Sequence, residues 1–147
     1  SLNSNKELAE EYLRLMLNSL HFLSKGTMPP EQIKAITELR MMCIAGYMPN
    51  LIACERCGEY ETDTMYFSVE DGLLYCDNCI SSDAMFHLDI GLVKALRHIA
   101  FSEFDKIYSF KMEDYALPDL SYITEKYLLA QLQRNFKTLD FYNSIKV

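Results

Sequence analysis

The sequence lacks several features that mark other classes of protein. It has no tryptophan and only five glycines and four prolines in 147 residues, and no internal repeat or low-complexity stretch marks a linker. No apolar run approaches the roughly 18 residues that a transmembrane helix needs. The start, Ser1-Leu2-Asn3-Ser4, has no methionine, basic region or apolar region. It therefore does not read as a signal peptide, and we expect a fragment with a short cloning scar.

Basic residues are also scarce, and their distribution is uneven. The chain has 14 Lys and Arg against 21 Asp and Glu, a net charge of −7. Residues 54–89 hold one base and nine acids, whereas the segments on either side are close to neutral. Because DNA binding draws most of its affinity from Lys and Arg at phosphates, the middle segment should repel DNA.

Hydrophobic periodicity predicts two helices before residue 50. Ser4 and Glu7 have the spacing of a capping box, and Gly26 suits a left-handed cap, so the first helix spans about residues 5–25. Its predicted apolar face comprises Leu8, Tyr12, Leu13, Met16, Leu20 and Leu23. The second helix starts near Pro30 and spans about residues 31–45. Its apolar face comprises Ile33, Ile36, Leu39, Cys43 and Ile44.

The period shifts toward two between residues 54 and 79, which indicates strands. The runs 65–69 and 73–75 flank Asp71-Gly72, a pair that favours the positive φ angles of a tight hairpin turn. The middle segment is therefore predicted to be a small β-hairpin.

Helical patterns return after residue 86. Asp89 is the predicted cap of a helix that ends before Ser102, and residues 102–116 fit either a helix or an extended piece. Pro118 opens a last helix to about Lys137, and its apolar face comprises Leu120, Ile123, Tyr127, Leu128 and Leu132. We expect one mostly α, helical bundle-like domain over 1–147, with helical parts 5–53 and 86–147 and an inserted zinc-ribbon hairpin module over 54–82.

Four of the five cysteines form the strongest motif. They occur as two C-x-x-C pairs, with 18 residues between the inner two, which is a spacing typical of structural zinc sites: Cys54, Cys57, Cys76 and Cys79. Four thiolates leave no open position for water, so one Zn²⁺ would be structural. Iron and a disulfide or redox use of the pairs remain alternatives. Cys43, on the apolar face of the second helix, is predicted to be a core residue.

Zinc ribbons that read DNA share this spacing, and the charge argues against that use. Between Cys54 and Cys79 the single base is Arg56, against seven acids, and a four-thiolate zinc centre adds roughly −2. A scaffold or protein-binding role is therefore predicted, with direct nucleic-acid binding as the alternative.

Motifs for catalysis are missing. His21, His87 and His98 stand outside any metal or nucleophile motif, and there is no G-x-S-x-G, phosphate loop or H-x-E signature. We therefore predict that the chain is not an enzyme.

The stretch Thr37–Leu51 followed by Cys54-Glu55-Arg56-Cys57-Gly58 resembles the RecO family of bacterial recombination mediators. That family joins a helix with a Leu-Arg core to Gly-Tyr-x-Pro and then a C-x-x-C-G knuckle. Phe67-Ser68, Asp71-Gly72 and Cys76–Cys79 resemble its second knuckle, and Tyr127–Tyr142 its last helix. The resemblance covers about residues 8–142.

This resemblance implies a cytoplasmic DNA-repair factor that does not span a membrane. It implies partnership with RecR and with the tail of single-stranded-DNA-binding protein, in order to load RecA onto coated single strands. It also implies an N-terminal OB-fold domain, not represented in this chain, through which single-stranded DNA is mainly bound.

Such a tail is acidic and ends in an aromatic residue with a free carboxylate, so its receptor should combine basic groups with an apolar pocket. The candidates are Arg97, Arg134 and Lys137 for the charges, with Phe136 and Phe141 as pocket walls. Alternatively, Arg134 and Lys137 only complement the negative end of the last helix.

Overall fold

The computed structural model describes residues 2–80 and 84–145, without the side chains of residues 138–142. Within these ranges the chain forms a mostly helical fold with a small antiparallel sheet, as predicted. The elements, in chain order, are α1 (Leu2–Lys25), α2 (Pro30–Ile44), β1 (Thr64–Ser68), β2 (Leu73–Cys76), β3 (Phe86–Asp89), α3 (Ile90–Phe101) and α4 (Leu117–Ile145). No helix among the described residues is both long and apolar enough to cross a membrane.

Helix α2 is the centre of the helical body, because it contacts α1, α3 and α4. Pro30 lies in its first turn, and Ile33, Ile36 and Leu39 are buried as predicted. At one side, Arg40 donates to the carbonyl oxygens of Ile99, Ala100 and Ser102 at the end of α3. A cation at these free carbonyls stabilises the helix end.

Helix α1 corrects two predictions. It begins at Leu2, so Ser4 lies inside the first turn and the capping box does not start the helix. The buried residues are Leu15 and Ser19, whereas most of the predicted apolar face is exposed. The Ser19 hydroxyl lies 2.8 Å from Thr37 Oγ1 and 2.7 Å from Tyr108 Oη. Phe22 lies on the same side, and its ring stacks on that of Tyr108 at 4.5 Å between centroids.

The sheet has the order β2-β1-β3, with antiparallel pairing throughout. Met65, Phe67, Leu74 and Leu88 are buried on its inner side. Strand β3 was not predicted: residues 86–147 were assigned to the helical part, and that is wrong for 86–89. Because β3 pairs with β1, the sheet crosses the boundary expected between the inserted module and the second helical part.

The hairpin turn differs from the predicted tight turn. Only Gly72 has a positive φ, +68°, while Asp71 does not. Residues 69–72 form the connection, and it is closed by the Gly72 N–H, which donates to the Ser68 carbonyl at 2.8 Å. The Asp71 N–H donates to the Ser68 hydroxyl oxygen at 3.3 Å. The longer loop thus needs one left-handed residue instead of two.

We expect Gly72→Ala to destabilise the chain by about 2 kcal/mol, because two costs combine. The φ of residue 72, +68°, is strained for any residue with a side chain. An added Cβ would also lie 3.2 Å from the hydroxyl oxygen of Tyr127 and 3.4 Å from the ring of Tyr127. Gly26→Ala is a matched control: φ is +70° and nothing lies within 4 Å of its Cβ. Urea unfolding of both variants measures the difference. Equal losses would mean that the contact with Tyr127 contributes nothing.

The second helical part follows its predicted start signals, but not its predicted end. Asp89 caps α3, since its side chain accepts from the Leu92 N–H at 2.8 Å. The ambiguous stretch 102–116 holds two short 3₁₀ turns, Phe104–Lys106 and Asp114–Ala116. Helix α4 continues to Ile145, beyond the predicted end near Lys137. On α4 the predicted apolar residue Leu132 is exposed, and its polar neighbour Gln131 is buried.

Candidate metal centre

The four paired cysteines come together at one point. Their Sγ atoms all lie within 4.8 Å of one another, and those of Cys57 and Cys76 are 3.6 Å apart. Tetrahedral Zn–S bonds of about 2.3 Å require sulfurs about 3.8 Å apart. The cluster therefore fits one tetrahedral metal ion, with Cys54, Cys57, Cys76 and Cys79 as its ligands.

Local backbone structure explains why the two pairs meet. At the first pair, the Gly58 N–H donates to the Cys54 carbonyl at 2.9 Å, and Gly58 has a φ of +78°. At the second pair, β2 ends at Cys76, and the Cys79 N–H donates to the Cys76 carbonyl at 3.0 Å. A bond of 2.8 Å from the Glu55 N–H to the Leu74 carbonyl joins the first pair to β2.

The electrostatics of the cluster favour a bound cation. Burial opposes ionisation of the Cys54 thiol, but the N–H groups of Cys57, Cys76 and Arg56 donate to its sulfur and lower its pKa to about 6. A hydrogen bond with Cys76, together with burial, raises the pKa of Cys79 to about 12. Four thiols in contact cannot all lose their protons without a compensating charge. A divalent metal ion supplies that charge and displaces the remaining protons.

The four sulfurs would complete the tetrahedral shell of an ion bound here, and that ion would have no open position for water or a substrate. All five cysteines are free of disulfide bonds. Cys43 lies outside the cluster, half-buried on α2 against the hydrophobic core, and burial raises its pKa to about 11. It is a core thiol, as predicted.

Arg97 corrects the predicted partner site. It was expected at an exposed rim, but it is 7% exposed. Its Nε donates to the Leu51 carbonyl at 2.7 Å, and one terminal nitrogen donates to the carbonyls of Ile52 and Tyr60. The guanidinium carbon lies 4.1 Å from the centroid of the Tyr60 ring. Arg97 therefore fastens both flanks of the first cysteine pair to α3.

A signal for this role was present in the sequence. Arg97 is one residue from Leu96 and four from Val93 on a face of α3 that is otherwise apolar. An arginine on such a face is buried only when its donors find partners.

The other predicted partner residues lie towards the end of α4. Arg134, Phe136 and Lys137 are exposed, Phe136 by 64%, and the side chain of Phe141 is outside the described residues. Because α4 continues to Ile145, Arg134 and Lys137 lie more than one turn before its end. The negative charge of a helix terminus acts within the last turn, so the alternative that they complement it loses its basis.

Tyr127 is a structural residue that the pattern of apolar positions only partly revealed. Its hydroxyl donates to the Tyr47 carbonyl at 2.6 Å, and its ring lies 5.7 Å from that of Phe67. Burial raises its pKa to about 12. Gln131, one turn later, donates to the Val69 carbonyl at 3.0 Å. These two side chains hold the hairpin on α4.

The fold and the cluster define the class: a helical domain that carries a zinc-ribbon-like four-cysteine insert. Residues 2–140 match the family model described as Recombination protein O C terminal. The chain belongs to the RecO family of DNA repair proteins.

Curated relatives agree with this assignment. The chain is 33% identical over 138 residues to DNA repair protein RecO of Acetivibrio thermocellus, and 30% identical over 137 residues to that of Caldicellulosiruptor bescii. Each alignment covers 93% of this chain and 55% of the relative. The chain thus spans about half the length of these relatives. No solved structure shows a significant match.

Proposed function

We propose that this chain is the partner-binding part of a recombination mediator that helps load RecA onto single-stranded DNA coated by single-strand-binding protein. The carrying observation is that the family match, residues 2–140, includes both the helical body and the cysteine cluster. In this proposal the chain is an adaptor and not an enzyme, and it acts in the bacterial cytoplasm together with RecR. Single-stranded DNA is bound mainly by a region outside this chain.

The proposed metal is one structural Zn²⁺. Four thiolates at the observed spacing suit zinc. Zn²⁺ binds cysteine sulfur well and has no electronic preference against tetrahedral coordination. When bound, the ion would hold the two cysteine pairs together. It would thereby also stabilise the segment before Cys54, which Arg97 on α3 binds through the Leu51 carbonyl.

A second candidate function is direct nucleic-acid binding by the cysteine-bearing hairpin. The surface charge argues against it. Arg56 is exposed, but so are all seven acids between Cys54 and Cys79: Glu55, Glu59, Glu61, Asp63, Glu70, Asp71 and Asp77. These carboxylates would repel phosphates wherever a strand approached this face.

For the acidic tail of single-strand-binding protein, the proposed receptor is the surface of α4 around Arg134, Phe136 and Lys137. Both bases are exposed on this part of α4, and so is the ring of Phe136; basic groups and an aromatic ring are what an acidic, Phe-terminated peptide needs. A second place with mixed character is a pocket of about 350 Å³ between the α1–α2 turn and residues 108–114. Its lining includes three apolar side chains, Met28, Phe110 and Met112, and the basic side chain of Lys111.

Titration of a fluorescent acidic, Phe-terminated peptide tests the proposal. We expect saturable binding, and a loss of at least tenfold in affinity for Arg134→Gln combined with Lys137→Gln, because each charge-assisted bond contributes about 1.5–3 kcal/mol. Lys94→Gln, at an exposed base on α3, should bind as the parent does. A peptide without its terminal Phe controls for simple charge attraction.

Single-stranded DNA is titrated in parallel at several salt concentrations. Strong, salt-dependent DNA binding without peptide binding would favour the second candidate function. Peptide binding that is lost with Lys111→Gln but kept in the α4 variant would place the receptor at the pocket instead.

A further inference from the structure

The four cysteines of the cluster differ in their access to solvent. Cys54 and Cys76 are each 3% exposed, whereas Cys57 is exposed and Cys79 is intermediate. The fold explains the difference. Cys76 ends β2 and pairs with Met65 on the inner side of the sheet, but Cys57 lies in the surface turn that follows Cys54. A reagent dissolved in water therefore meets Cys57 before the two buried cysteines.

Cys57 also has a second sulfur beside it. Its Sγ lies 3.6 Å from the Sγ of Cys76. The two sulfurs of a disulfide are about 2.05 Å apart, so a movement of about 1.5 Å would join them. A bound divalent ion keeps cysteine ligands as thiolates, which is the form that peroxide oxidises. An exposed thiolate with a resolving cysteine next to it is the arrangement found in redox-sensing proteins.

The charge around Cys57 favours an uncharged oxidant. Glu55 and Glu59 lie two positions before and after it, and five further acids between Cys54 and Cys79 are exposed as well. The single base in this segment is Arg56. Anionic oxidants such as glutathione disulfide are therefore repelled, whereas hydrogen peroxide, which carries no charge, is not.

We propose that Cys57 is a peroxide-reactive cysteine, and that its oxidation to a disulfide with Cys76 opens the metal centre. This inference rests on the proposed zinc site. The Cys57 thiolate attacks one oxygen of hydrogen peroxide, the O–O bond breaks, and hydroxide leaves a sulfenic acid on Cys57. The Cys76 thiolate then attacks that sulfur, the S–O bond breaks, and a second hydroxide leaves. The two sulfurs supply the two electrons that reduce the peroxide, and two protons from solvent convert the hydroxides into water.

The disulfide removes two of the four ligands, so the cluster no longer holds the ion. The surrounding contacts confine the change to the two cysteine turns. Arg97 binds the carbonyls of Leu51 and Tyr60, on either side of the first pair. Tyr127 and Gln131 hold the hairpin on α4. None of these bonds involves a cysteine, so the four sulfurs stay close together and the change is reversed by reduction in the presence of zinc.

Peroxide treatment of the zinc-loaded chain tests this proposal. A chromogenic chelator follows the release of zinc, and cleavage after Glu55 and Glu59 places Cys57 on a peptide separate from the other cysteines. We expect one zinc released for each disulfide formed and a Cys57–Cys76 cross-link by tandem mass spectrometry. Dithiothreitol with added zinc should restore the metal content. Dimedone, which traps sulfenic acids, should label Cys57 about tenfold more than Cys54.

Two variants serve as controls. Cys43→Ser removes a thiol outside the cluster, so its zinc should be released by peroxide at the rate of the parent. Glu55→Gln combined with Glu59→Gln tests the effect of charge. Release by hydrogen peroxide should stay unchanged in this double variant, whereas the slow release by glutathione disulfide should become about threefold faster.

Three results would overturn the proposal. A first disulfide between Cys54 and Cys57, or between Cys76 and Cys79, would make the assigned pair wrong. Zinc that is retained while Cys43 is oxidised would show that the cluster is not the reactive site. Zinc loss with sulfinic acid and no disulfide would mean irreversible damage. A chain that takes up no zinc before peroxide is added would contradict the proposed metal itself, which distinguishes that failure from the other three.

Discussion

Cys57→Ser is expected to remove the bound metal and to loosen residues 54–79, while the helices keep most of their circular dichroism signal. The Cys57 sulfur lies 3.6 Å from that of Cys76, and Cys57 is one of the four clustered cysteines proposed to hold the ion. The binding free energy of a structural zinc site, about 10–16 kcal/mol in small zinc-binding peptides, is also folding free energy. The parent should contain one zinc per chain by mass spectrometry, and the variant much less than one.

Cys43→Ser is the matched control. The same change is made at a half-buried thiol outside the cluster, so the metal content should stay at one per chain. We expect this variant to lose only about 1 kcal/mol of stability. Full zinc content in Cys57→Ser would contradict the assignment of four cysteine ligands.

Arg97→Met is expected to lower the free energy of unfolding by about 3–5 kcal/mol. The change leaves the carbonyls of Leu51, Ile52 and Tyr60 without their donor. A buried acceptor that loses its partner, as the Leu51 carbonyl would, costs about 1–3 kcal/mol, and the two partly buried carbonyls add to that loss. The ring of Tyr60 also loses its cation. Urea unfolding measures the loss. The metal content should stay near one per chain, since none of the four ligands is changed.

Lys94→Met, on the same helix but exposed, controls for the loss of a positive charge and should change stability by less than about 0.5 kcal/mol. If Arg97→Met unfolds at the same urea concentration as the parent, the three bonds do not stabilise the flanks of the first cysteine pair. In that case Arg97 would again be a candidate for binding the acidic partner tail.

Local signals in the sequence were reliable where they act over a few residues. The x2 spacing of each cysteine pair placed two sulfurs on one turn, and the structure brings the two turns together. Pro30 and Asp89 predicted the starts of α2 and α3 to within one residue. In each case the backbone or cap geometry depends on neighbours in the chain, so no long-range contact was needed to infer it.

The predictions that failed depended on distant contacts. Periodicity identified an apolar face on α1 that is mostly exposed, whereas the side against the body is formed around Leu15, Ser19 and Phe22. Strand β3 has only four residues and becomes a strand by pairing with β1. Arg97 resembled a surface charge because its three acceptors lie 37 to 46 positions away in the chain.

The sequence by itself determined which four cysteines cluster, most helix positions, the acidity of the hairpin and the family, because these follow from residue type and short spacing. Only the tertiary structure decided which side of α1 is inward, where Arg97 binds, and how Tyr127 and Gln131 hold the hairpin. The physical reason is that burial and hydrogen-bond partners are properties of the assembled chain. A side chain that could be exposed or buried is assigned only when the groups it meets are known.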